Sequence, residues 1–208
     1  MNATTFPRHG LYAITNGPRP DLVAAVEAAL AGGARVVQYR DGTTDHARRH
    51  GEAAALREVC RRHHATLLIE SDAELAQATG ADGVHLRRPE DVAEARALLG
   101  AGAIIGVSAR DSMALARAAV AAGANYISFG AFHASPTIHD APRASLDLLA
   151  QSAALGVPRV AIGGVTPDNG RALIAAGADL VASVSCLFGA ADVRAMAQRF
   201  SALFPAHE

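Results

Sequence analysis

Several short segments of this 208-residue chain set chemistry-bearing side chains close together. In Gln38-Tyr39-Arg40-Asp41-Gly42, the strand period of two puts Gln38 and Arg40 on one face with Val36 and turns Tyr39 to the other. An amide beside a guanidinium can hold a planar heterocycle and an anion; the plain alternative is a strand-end arginine in a solvated salt bridge. In Ile162-Gly163-Gly164-Val165-Thr166-Pro167, adjacent glycines let the backbone approach a ligand and offer it N–H groups. Thr166-Pro167 has the pattern of a helix N-cap followed by proline at the first helical position. Val184-Ser185-Cys186 is a second small loop of this kind, and two such loops with a helix N-terminus can hold a phosphate dianion without a cationic side chain. The acids Glu70, Asp72, Glu90 and Asp91 could share a hard cation such as Mg2+, or could serve as helix caps together with Ser71. His85, between Val84 and Leu86, has the setting of a hydrogen-bonded core histidine.

Composition limits the chemistry further. All 19 basic residues are arginine, so Schiff-base and P-loop mechanisms that need a lysine are excluded. The net charge of -1, with arginines scattered along the chain, gives no support for nucleic-acid binding or for a membrane surface. The segment Met1–Arg8 lacks the apolar core of a signal peptide, and a soluble cytoplasmic protein is expected. Cys60 and Cys186 stand far apart and have the setting of buried apolar residues.

The elements that must position these groups are marked by a repeated phrase. Ala31-Gly32-Gly33-Ala34, Thr79-Gly80-Ala81-Asp82, Ala122-Gly123-Ala124-Asn125 and Ala176-Gly177-Ala178-Asp179 each end an Ala-rich helix with glycine and begin an apolar strand. Each interval is long enough for about two strand-helix units. Periodicity then predicts strands near 11–15, 34–40, 66–70, 82–86, 103–108, 125–130, 158–163 and 179–185. Helices are expected near 20–32, 45–63, 72–79, 90–99, 111–122, 144–155, 167–176 and 189–203. Eight alternating pairs predict an α/β fold, a short single-domain (β/α)8 TIM barrel over about 11–204, with residues 1–10 as an N-terminal extension; an open doubly wound sheet is the alternative. In a barrel, the segments above gather at the C-terminal strand ends. The longest of the βα loops, from Phe129 to Pro142, is placed to close over a ligand.

With the residues in this order, the chain resembles thiamine phosphate synthases and the related thiazole tautomerases. The resemblance runs through Leu11-Tyr12-Ala13-Ile14-Thr15, Gln38-Tyr39-Arg40-Asp41, Gly80-Ala81-Asp82-Gly83-Val84-His85-Leu86, Ile105-Gly106-Val107-Ser108, Ser135-Pro136-Thr137, Ala161 to Asn169 and Val184-Ser185. It implies a transferase of thiamine biosynthesis, in which a pyrimidine diphosphate expels pyrophosphate and a thiazole phosphate nitrogen captures the resulting cation. It further implies that Gln38 and Arg40 contact the diphosphate substrate, that Ser108 meets the reacting groups or pyrophosphate, and that Ser135, Thr137, Gly163, Gly164, Val184 and Ser185 bind thiazole phosphate. Mg2+ is the implied cofactor. Here the chain departs from the family: Gly42 and Ile138 stand where it has lysines, Glu70-Ser71 where it has Asn-Asp, Glu90 at its second metal aspartate, and Arg87-Arg88 at a Gly-Gln pair. Glu70, Ser71 and Glu90 are then the residues left to hold the metal, with Glu70, Arg87 and Arg88 beside the diphosphate. Three expectations follow: a divergent synthase with altered activity, a tautomerase-like enzyme with His133 as acid/base, or a non-catalytic thiazole phosphate binder. The expected partners are small-molecule phosphates, and a homo-oligomer is compatible with all three.

Overall fold

In the computed structural model, residues 5–134 and 143–205 are described. Eight parallel strands close into a barrel in chain order: β1 (Gly10–Ile14), β2 (Ala34–Tyr39), β3 (Thr66–Glu70), β4 (Gly83–Leu86), β5 (Ile104–Arg110), β6 (Tyr126–Phe129), β7 (Arg159–Ala161) and β8 (Leu180–Ser183). The first and last strands pair through Gly10↔Leu180 to Ala13↔Ser183, which completes the cylinder. Around it run α1 (Leu22–Ala31), α2 (His46–Arg62), α3 (Ala73–Thr79), α4 (Val92–Leu99), α5 (Met113–Ala121), α6 (Asp147–Gln151), α7 (Pro167–Ala175), α8 (Ser185–Phe188) and α9 (Val193–Ser201). Parallel neighbours need a long crossover, and a helix in each crossover covers the outer face of the sheet. The (β/α)8 expectation therefore holds. Among the described residues no helix is long and apolar enough to cross a membrane.

The glycine-ended phrases do what their pattern predicts. Gly33, Gly80, Gly123 and Gly177 all have positive φ, so the chain turns from helix to strand where a Cβ would be strained. Two helices differ from the periodic reading. Pro89–Asp91 forms a 3₁₀ turn ahead of α4, and the expected helix over 144–155 splits into α6 and a 3₁₀ turn over Ser152–Leu155. A further element was hidden altogether: α8 occupies four residues between β8 and the last helix. Four residues hold barely one helical turn and carry no readable period.

Alternation along the strands makes two cores. Outward residues such as Leu11, Val37, Ile69, Val84 and Phe129 pack against the helices. Inward residues, among them Tyr12, Ile14, Val36, Leu68, Ile104, Tyr126, Val160 and Leu180, fill the barrel. Tyr126 reaches across the interior because β5 carries Gly106 there; a Cβ at that position would lie 1.9 Å from the Tyr126 ring. Phe6, from the N-terminal extension, joins the same inner core and stacks on Tyr126 with ring centroids 3.9 Å apart. The extension is thus part of the barrel's packing. Phe6→Ala leaves a cavity against Tyr126 and is expected to cost about 3 kcal/mol of stability, read from urea unfolding, with little change in the strand content seen by circular dichroism.

Candidate functional site at the barrel mouth

At the C-terminal ends of the strands lies a cavity of about 340 Å³ between the loops after β7 and β8, with Arg40 on its lining. Its first wall is Ile162-Gly163-Gly164-Val165-Thr166. Gly163 and Gly164 have φ of +98° and +62°, and a Cβ on either would run into the loop after β6: 2.4 Å from Ala131 Cβ for Gly163, 2.2 Å from the Ala134 carbonyl oxygen for Gly164. The carbonyls of this wall are tied back into protein. Phe132 N donates to Ile162 O (3.2 Å), His133 N to Gly163 O (2.9 Å) and Asn169 Nδ2 to Gly164 O (2.9 Å). Among the described residues, the N–H groups of Gly163, Gly164 and Val165 have no protein acceptor. They form a set of donors suited to an anion.

The helix behind this wall is firmly started. Thr166 and Asn169 form a reciprocal capping box, with Pro167 in the first turn of α7, as the sequence pattern predicts. The facing wall runs from Ala182 to Cys186, the end of β8 and the first turn of α8, and Ser183 Oγ donates to Val165 O at 3.4 Å to join the two. Gly163, Gly164, Val184 and Ser185, the residues expected to build a phosphate cup, all line one cavity. Ser135 and Thr137 lie outside the described residues.

Arg40 enters the same cavity from β2, half-buried and without an ion-pair partner among the described residues. Its backbone is pinned to Thr15, whose hydroxyl accepts from Arg40 N (2.8 Å) and donates to Arg40 O (3.1 Å). The loop beyond is held from outside. Arg48 pairs with Asp41 (2.6 Å) and Glu52 (2.8 Å), and Tyr39 Oη donates to Glu52 (2.6 Å). Burial opposes the charge on Asp41, but the Thr43 amide and the Arg48 guanidinium together hold its carboxyl below the usual carboxylate range. An unpaired cation on a fixed strand end is an economical anion receptor, because no intramolecular partner has to be displaced.

Gln38 lies one strand step below, 4% exposed, with Tyr12 Oη donating to its Oε1 at 2.7 Å. His85, on β4, reaches Tyr126 Oη through Nδ1 at 2.8 Å, which confirms it as a hydrogen-bonded barrel histidine. Burial, with a smaller contribution from the Arg87 cation, pushes its pKa down to about 4. An unfolded histidine titrates near 6.5, so between pH ~6.5 and ~4 the unfolded chain binds a proton that the folded chain refuses. The stability tied to a neutral His85 is therefore fully present above that window and is lost as pH falls through it. Urea unfolding at pH 7 and pH 5 should show a smaller pH penalty in His85→Gln than in the parent chain.

On the other side of the mouth, acids and arginines pair with one another. Arg87 reaches from the end of β4 to Glu70 at the end of β3 (Nη2–Oε1 2.9 Å), while Arg88 turns outward to Asp91 (2.6 Å). Asp72 caps α3 through Leu75 N and pairs with Arg49 (2.7 Å), Glu90 is exposed, and Ser71 sits exposed at φ +52°. Among the described residues no group of three or more His, Cys, Asp or Glu gathers to hold a metal ion. Glu70, Ser71 and Glu90 thus do not form the oxygen-rich cluster that Mg2+ takes, because Glu70 is engaged by a guanidinium and Glu90 faces solvent. Ser108 is half-buried on the inner face of β5, in register with Ser128 and outside the cavity lining. His133 is placed by its backbone at the cup, but its ring is not part of the lining and its Nε2 is enclosed with no partner among the described residues.

The fold agrees with that of known proteins. The chain matches the thiamine monophosphate synthase family over residues 11–187. It is 48% identical over 207 residues to a thiamine-phosphate synthase of Thiobacillus denitrificans, covering 97% of both chains. It is also 48% identical over 200 residues to that of Chromobacterium violaceum, covering 95% of this chain and 97% of the relative. Among solved structures, thiamine phosphate pyrophosphorylase from Pyrococcus furiosus superposes with a TM-score of 0.84 at 31% identity, covering 94% of this chain and 95% of that one. With a family model matched over most of its length and relatives about half identical along nearly the whole chain, the chain belongs to the thiamine monophosphate synthase family.

Proposed function

We propose that the chain is a thiamine-phosphate synthase of thiamine biosynthesis that joins a pyrimidine diphosphate to thiazole phosphate. The observation that carries this reading is one cavity lined both by Gly163, Gly164 and Val165, whose N–H groups have no acceptor among the described residues, and by Arg40, which has no ion-pair partner among them. The amides and the first turn of α8 take the thiazole phosphate, and their fixed carbonyl hydrogen bonds keep the donors pointed at it. Arg40 meets the diphosphate, with Gln38 beneath it against the heterocycle. The C–O bond between the pyrimidine methylene and the diphosphate breaks, and its electron pair leaves with pyrophosphate. The thiazole nitrogen lone pair then forms the new C–N bond. Charge that develops on the leaving oxygen needs preorganised cations. Because the acids at β3 and β4 do not fit Mg2+, Arg40 carries that role in this reading.

The other two expectations have no observation in their favour. A tautomerase would need a titrating group in the cup, and the His133 ring is not on its lining. The test is direct: the purified chain, given thiazole phosphate and pyrimidine diphosphate, should yield thiamine phosphate and pyrophosphate in equal amounts by mass spectrometry. Absence of the product with both substrates saturating would overturn the reading.

A further inference from the structure

A chain of polar side chains crosses the barrel interior below the cavity. Tyr12 Oη lies 2.7 Å from Gln38 Oε1 and 2.8 Å from Tyr126 Oη; Tyr126 Oη lies 2.8 Å from His85 Nδ1; His85 Nε2 lies 3.4 Å from Ser128 Oγ. A phenol owns one proton and donates once. The links are therefore not independent. When Tyr12 gives its proton to Gln38 Oε1, it must accept from Tyr126, and Tyr126 must accept from His85, which places hydrogen on Nδ1. The reverse setting turns the Gln38 amide over, runs every donation the other way and leaves hydrogen on Nε2 of His85. The two settings differ at the mouth in one respect: Gln38 offers a donor there, or an acceptor.

The geometry at Gln38 chooses between them: Tyr12 Oη donates to Gln38 Oε1, which turns Nε2 toward the mouth, where it has no protein partner among the described residues and is not among the fully enclosed unpaired atoms. We infer that the chain runs from His85 Nδ1–H through Tyr126 and Tyr12 to Gln38 Oε1, so that these three side chains are positioning residues that lock Gln38 as a donor toward the ligand. The heterocycle taken at Gln38 then presents an acceptor, such as an unprotonated ring nitrogen. Only the identity of that heterocycle rests on the proposed synthase reaction; the direction of the chain does not.

The test reads the tautomer without turnover, so it stands apart from the activity assay. In the intact protein labelled with 15N at histidine, the His85 signals are assigned by their loss in His85→Gln. The expected result is hydrogen on Nδ1 and a bare Nε2; hydrogen on Nε2 alone would overturn the inference. Tyr126→Phe keeps the ring that stacks on Phe6 and removes the acceptor of Nδ1–H. His85 is then expected to shift toward the Nε2–H form, and an unchanged tautomer in this folded variant would show that the chain does not set it.

Discussion

Gly164→Ala is expected to lower kcat/KM for thiazole phosphate by about 100-fold, with most of the loss in KM, while the barrel stays folded. The alanine Cβ would lie 2.2 Å from the Ala134 carbonyl oxygen and 2.8 Å from the His133 backbone, so the loop after β6 must withdraw from the cup. That loop is also what receives the Gly163 carbonyl, through His133 N. Its retreat releases the wall and swings the three donor amides out of line. The backbone cost is smaller, because φ of +62° is the left-handed well that alanine enters at ~1 kcal/mol. Steady-state kinetics and a melting curve separate the two effects: a drop of a few degrees with a large KM change supports the cup, whereas unaltered KM would remove Gly164 from it.

Arg40→Met is expected to reduce the rate of pyrophosphate release by about 100- to 1,000-fold, the usual cost of losing one preorganised charge contact. Methionine keeps the stem and removes the guanidinium. The strand end itself should be undisturbed, because its anchors are main-chain bonds to Thr15 and the outer set of Arg48, Asp41, Glu52 and Tyr39. Arg40→Lys should recover only part of the loss, since an ammonium cannot make the paired contacts of a planar fork. A coupled assay for pyrophosphate tests this, and a rate within threefold of the parent for Arg40→Met would remove the leaving group from Arg40.

The barrel was legible because its signals are local and repeated. A glycine after each Ala-rich helix and a period of two in each strand are properties of a few consecutive residues, and so are Thr166-Pro167 and the glycine pair before it. What sequence could not show depends on contacts between strands. Tyr12 and Tyr126 carry the polar chain through the interior, and nothing local in the sequence marks them for it, since only the closed cylinder brings β1 and β6 face to face. The pairing of Glu70 with Arg87 also belongs to neighbouring strands. Opposite charges at the ends of adjacent parallel strands are a usable signal for it, but the same acids suit a metal equally well until the barrel sets their neighbours. For His133, position along the loop suggested the cup and the backbone does sit there; ring direction is set by packing that no single-sequence pattern encodes.

The closing seam has a bearing on how the molecule is made. Because β1 pairs with β8, the edge of Gly10–Ile14 has no partner until Leu180–Ser183 has been synthesised. Until then any sheet that the nascent chain forms is open, with one raw margin at β1 and another at its newest strand, the condition in which β-proteins stick to one another. Ring closure also joins residues far apart in the chain, which slows the last step. Cellular yield of this protein should therefore respond to holdase chaperones and growth temperature more strongly than its equilibrium stability alone would indicate.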